Sequence, residues 1–220
     1  MDACILAYTR LPLQAPRALL GRCAAALPYA RRLRLRGSER AQWQSLAGLG
    51  LACWLLRRAT GRDVRAAQLR CPRGGAPCLP GGPSFSIAHA GEWVACVLAR
   101  AGAVGLDLEL PAARAPFGTL ADWVAREAVA KAAGRGLAAV RAVVLEPGAA
   151  AGECGRAQLD GRRWQLLAPR LPVPLAVRVA LELPAARGPA VVRVPFLQAC
   201  AALAGDAAPA APVAAAWAIA

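Results

Sequence analysis

The sequence predicts an α+β protein made of two similar halves, each a helix packed on a small, mostly antiparallel sheet. Three observations carry this. Within 38–58, apolar residues recur at helical spacing: Trp43, Leu46, Ala47, Leu49, Leu51, Trp54 and Leu55. Segments 85–87, 93–99 and 104–110 are short apolar runs bounded by Gly turns at Ala90-Gly91-Glu92 and near Gly102, which is the pattern of strands. A second helical pattern follows at 119–133, opened by Thr119 and closed by Gly134.

The other elements fall around these. Residues 3–8 read as a strand. Ser38 is the candidate N-cap of the first long helix and Gly61 its stop. A Gly/Pro/Cys loop fills 71–83, and 111–118 is a short linker. Segments 140–145, 156–167 and 174–183 read as strands, while 187–198 fits either type. The boundary between halves lies near Gly102, giving a first half at 1–102 and a second at 103–200. Residues 201–220 form an Ala/Pro-rich tail, part of a low-complexity end that starts near Ala199.

Composition narrows the function classes. No stretch offers about twenty uninterrupted apolar residues, and Asp206, Pro209 and Pro212 break the nearest candidate, so a membrane span is not expected. Met1-Asp2-Ala3-Cys4 lacks the basic start of a secretory signal, so the expected location is the cytoplasm. None of the 8 cysteines forms a C-x-x-C pair and there is 1 histidine, which argues against a Cys/His zinc site and for buried thiols. The net charge of +14 attracts anionic partners, but it comes almost wholly from arginine in an Ala/Arg/Gly/Pro-rich chain, which points to codon bias. Nucleic acid is therefore not an expected partner. Lys131 is the sole lysine.

Acidic residues are scarce, so their placement matters. Asp107 and Glu109 lie two apart on a predicted strand, which puts both carboxylates on one face and Leu106 and Leu108 on the other. Like charges so close are unfavourable without a cation or hydrogen bonds. Glu127 lies on the second predicted helix with Lys131 one turn on, the spacing of a surface ion pair. Alternatively, the three acids form an oxygen site for Mg²⁺, a cation that completes its shell with water and substrate phosphates. His89 sits where a strand meets a Gly turn.

Two stretches, FSIAHAGEWVACVLARAGAVGLDLE at 85–109 and WVAREAVAKAAGRGL at 123–137, resemble the Sfp-type 4′-phosphopantetheinyl transferases. That family carries a Ser-His-Ser segment, a strand ending in G-[IV]-D-[IL]-E, and a helix reading W-x-x-K-E-[AS]-x-x-K-x-x-G-x-G-L. SLAGLGLACWLLRRATG at 45–61 is similar to the family's helix before its Gly-x-Pro loop. The resemblance implies a pseudo-twofold pair of α/β halves and a monomer. It assigns Asp107, Glu109 and Glu127 to Mg²⁺, and Lys131 and His89 to the phosphates of coenzyme A. It places Gly75 and Pro77 beside the nucleotide, and Ser45 with Arg31, Arg36 and Arg40 near the adenosine 3′-phosphate. This chain departs from the pattern at Ala88 and Ala90, which replace both serines, at Arg126 and Ala76, and in its short linker before Trp123.

The implied reaction transfers the phosphopantetheine arm of coenzyme A to a serine of an acidic acyl or peptidyl carrier protein and releases 3′,5′-ADP. Glu127, or a water on the metal, is the candidate base. Two alternatives share the same residues: a relative that binds coenzyme A with little transfer, and a Mg²⁺-dependent phosphohydrolase.

Overall fold

A computed structural model describes residues 4–28, 32, 35, 37–72, 75–147, 149, 154–182 and 188–206 of the chain. The fold is mixed α+β with two mostly antiparallel sheets. Its strands are β1 (Cys4–Arg10), β2 (Phe85–Ala90), β3 (Trp93–Ala99), β4 (Val104–Glu109), β5 (Val144–Leu145), β6 (Cys154–Leu159), β7 (Arg162–Leu167), β8 (Ala176–Leu181) and β9 (Ala190–Arg193). Its α-helices are α1 (Arg17–Ala25), α2 (Glu39–Thr60), α3 (Leu120–Ala132) and α4 (Phe196–Ala204). The first sheet has the order β2-β3-β1-β9 and the second β4-β8-β7-β6-β5.

Alternation along β1 explains the layering. Ile5 and Ala7 point to a cluster shared with α2, while Cys4, Leu6 and Tyr8 point to a cluster shared with the second sheet. From the other side, Leu106, Leu108, Val177 and Val179 complete that inter-sheet core. The outer face of the second sheet packs Ala157, Leu159, Trp164 and Leu166 against α3. The order is thus helix, sheet, sheet, helix. Strands covered on both faces read as near-continuous apolar runs, as CILAY and VACVLA do.

Helix ends follow local chemistry. The Ser38 hydroxyl accepts from the Ala41 N–H at 3.3 Å, and Gly61 closes α2 in the left-handed region at φ 65°. Thr119 and Asp122 form a reciprocal capping box at the start of α3. Among the described residues no helix is long and apolar enough to cross a membrane.

Three parts of the chain differ from the sequence expectation. Segment 156–167 is a hairpin, not one strand: Asp160 (φ 50°) and Gly161 (φ 74°) make the two-residue turn that matches strand twist. Within 140–145 only Val144–Leu145 is strand, because Leu137–Ala142 winds into a 3₁₀ turn that lays Val140 in the core. The C-terminal stretch returns to the first half. β9 pairs in parallel with β1, and α4 lies on α2. The second half expected at 103–200 therefore ends near Leu181, and α4 occupies residues expected to open the tail. Gly50 permits this, since a Cβ there would stand 2.2 Å from the Ala199 carbonyl oxygen. Phe196 stacks edge-on to Trp43 at 5.2 Å, and Ala199, Cys200, Ala202 and Leu203 are buried. Most of the 201–220 tail, from 207 onward, lies outside the described residues.

Candidate metal centre

β4 and α3 build the site together. Gly105, Asp107 and Glu109 face α3, while Leu106 and Leu108 face the inter-sheet core. A Cβ on Gly105 would fall 1.9 Å from the Ala128 carbonyl oxygen and 2.5 Å from the Ala132 nitrogen. Helix backbone rests directly on strand backbone at that point. The contact lowers α3 far enough to bring Glu127 beside the two acids of β4. Among the described residues, Asp107, Glu109 and Glu127 form one group whose carboxylate oxygens lie within 4.8 Å of one another.

This cluster is not a solvated acidic surface. Asp107 is 3 % exposed and Glu127 8 %, with Glu109 half-buried. Lys131 Nζ donates to Asp107 Oδ1 at 2.6 Å, while the buried Oδ2 has no hydrogen-bond partner among the described residues. Burial lifts the Asp107 carboxyl to about 7; Lys131 opposes the rise and Glu127 adds to it. Burial and then the Asp107 charge also lift Glu109. Three oxygen ligands, one of them orphaned and buried, fit a hard divalent cation, which prefers carboxylate and water oxygen.

His89, near the end of β2, joins this group electrostatically. Its pKa is lowered, first by the protein packed around it and then by the Lys131 charge, so the imidazole is neutral at pH 7. Lys131 behaves differently from the i+4 expectation: its partner is Asp107 on β4, not Glu127. Arg126 is engaged elsewhere, donating to the Val143 carbonyl and lying over the Phe117 ring.

The remaining expected residues lie apart from the acids or outside the described residues. Arg40 lines a cavity of about 460 Å³ with Arg17, Glu39 and Trp43, and none of the three acids lines it. Ser45 is half-buried on α2. Its neighbour Gln44 donates to the Gly91 carbonyl at 2.7 Å, in the turn just after β2. Gly75 and Pro77 sit in a loop whose neck is the Arg70–Cys78 bridge. Arg31 and Arg36 lie outside the described residues. Sequence reasoning gave Gly105 no role, although it stood in the motif; only a helix lying on that strand reveals why no side chain fits there.

No protein-family model matches the chain, and no curated protein matches its sequence.

The raised Asp107 pKa would make metal binding at this cluster proton-linked. At pH 6 most of the metal-free protein carries a proton that the cation must displace, and at pH 8 little of it does. Affinity for Mn²⁺, measured by electron paramagnetic resonance of the free ion, is expected to be about tenfold weaker at pH 6 than at pH 8. An affinity flat across that range would show that binding displaces no proton that titrates near pH 7.

Proposed function

We propose that the protein is a Mg²⁺-dependent 4′-phosphopantetheinyl transferase that modifies a serine of an acidic carrier protein. One observation carries the reading. His89, Asp107, Glu109, Glu127 and Lys131, which hold the motif resemblance, are gathered around one cluster although they span β2, β4 and α3.

The residues divide the work. Asp107, Glu109 and Glu127 would hold Mg²⁺, which when bound neutralises the pyrophosphate and supports the charge that develops on it. Lys131, one turn beyond Glu127 and paired with Asp107, would supply a cation to the phosphates. His89 would hydrogen-bond the phosphate that is attacked. The carrier serine oxygen forms a bond to the β-phosphorus as the bond to 3′,5′-ADP breaks, and a Glu127 carboxylate oxygen takes the hydroxyl proton. The net charge of +14 steers an acidic carrier to the site.

Coenzyme A with Mg²⁺ tests this directly. Release of 3′,5′-ADP is expected only when an apo carrier protein is present. Release or free phosphate without a carrier would make the protein a phosphohydrolase and overturn the reading. Lys131→Ala is expected to lower kcat/KM by on the order of 10²-fold and to weaken coenzyme A binding with it. An unchanged rate would return Lys131 to a purely structural pairing with Asp107.

A further inference from the structure

The two halves meet along an unusual seam. β2 ends the first sheet and β4 ends the second, and among the described residues no backbone ladder joins them. Instead the Val104 N–H donates to Ser84 Oγ at 3.2 Å and the Leu106 N–H donates to Ser86 Oγ at 3.1 Å. β4 bonds β8 along its other edge in antiparallel register, so alternate N–H groups are left to face β2. Ser84 just before β2 and Ser86 within it, two residues apart, meet N–H groups two apart on β4.

That pairing selects one register. A one-residue slide would offer the serines the N–H groups that β8 requires. A two-residue slide would move Asp107 by about 7 Å and leave a serine without its donor. Ser86 is 7 % exposed and Leu106 is fully buried, so little water is at hand to replace the lost bond. Asp107 directly follows Leu106, and His89 lies three residues beyond Ser86 on the same strand.

We infer that Ser84 and Ser86 are positioning residues that set β4 against β2, and with it the placement of His89 relative to the carboxylate cluster. The inference rests on the metal-centre reading above. Each serine accepts from a backbone N–H of β4, so both act through the strand they hold.

The sole histidine gives a clean readout, because its ring signals in a proton NMR spectrum are unambiguous. Mn²⁺ bound at the carboxylates is expected to broaden the His89 signals in the wild-type protein. In Ser86→Ala the broadening should weaken and Mn²⁺ affinity should fall about tenfold, the cost usual for losing a group that orients a ligand. Ser86→Thr, which keeps the hydroxyl, should restore both. Val194→Ala removes buried volume near β9, at the opposite edge of the first sheet, and should lower stability without changing either signal. If Ser86→Ala does not fold, Ser84→Ala at the half-exposed position carries the same test with a smaller shift. Wild-type protein that binds no Mn²⁺ would remove the metal centre and this inference with it. Wild-type binding that both serine-to-alanine variants reproduce would overturn the inference alone.

Discussion

Asp107→Asn is expected to abolish the proposed carrier modification, a loss on the order of 10³-fold or more, while making the metal-free protein more stable at pH 8. The two effects have one cause. Asp107 is buried, one of its oxygens lacks a hydrogen bond among the described residues, and Glu127 stands beside it. Its carboxyl is raised to about 7 in the folded chain, so between about pH 4 and 7 the folded chain keeps a proton that the unfolded chain has lost. The contribution to stability is therefore whole below about pH 4 and is lost as pH rises through the folded value. Asparagine has no such proton. The melting temperatures of mutant and wild type should differ least near pH 4 and separate in favour of the mutant up to pH 8. Mg²⁺ should close the gap by stabilising only the wild type, since a ligand stabilises the state that binds it. A mutant that turns over normally, or one that Mg²⁺ still stabilises, would contradict the ligand assignment.

Gly105→Ala should act on fold and site together. The added Cβ has backbone on its far side, 1.9 Å from the Ala128 oxygen, and backbone cannot step aside as a flexible side chain can. Either α3 rises from β4 or the strand bends. A cost of about 3 kcal/mol is expected, near the upper end for overpacking, which lowers the melting temperature by roughly 10 °C. Because Glu127 travels with α3, metal affinity should fall as well. Gly21→Ala on α1, where a Cβ would meet nothing within 4 Å, serves as the contrast and should be neutral or mildly stabilising. Equal behaviour of the two alanines would show that the strand–helix contact is not tight.

Local chemistry was readable from the residues, and chain crossings were not. Ser38, Gly61, Thr119 and Gly134 announce helix ends because caps depend on neighbours within a turn. The Asp160-Gly161 hairpin was equally local: that dipeptide is the turn signal inside the segment read as strand. α1 has weak periodicity and is held by contacts with α2 and α4. The return of β9 to β1 depends on parallel pairing between residues at opposite ends of the chain, which no local pattern encodes.

The same division runs through the site. Scarcity and period-two alternation singled out Asp107 and Glu109. The placement of Glu127 beside them needs α3 to lie on Gly105, and the Lys131–Asp107 pair needs that same approach. The serine seam is invisible in sequence, since Ser84 and Ser86 sit twenty residues from the N–H groups they accept. Their spacing of two has meaning only once β4 is known to lie alongside.

The most direct test of the proposed transferase is intact-mass analysis of an apo acyl or peptidyl carrier protein after incubation with this protein, coenzyme A and Mg²⁺. The expected result is a carrier heavier by one phosphopantetheinyl group, with no change when the metal is chelated or when Asp107 is replaced. An unmodified carrier across acyl and peptidyl types, under conditions where the protein binds Mg²⁺, would contradict it.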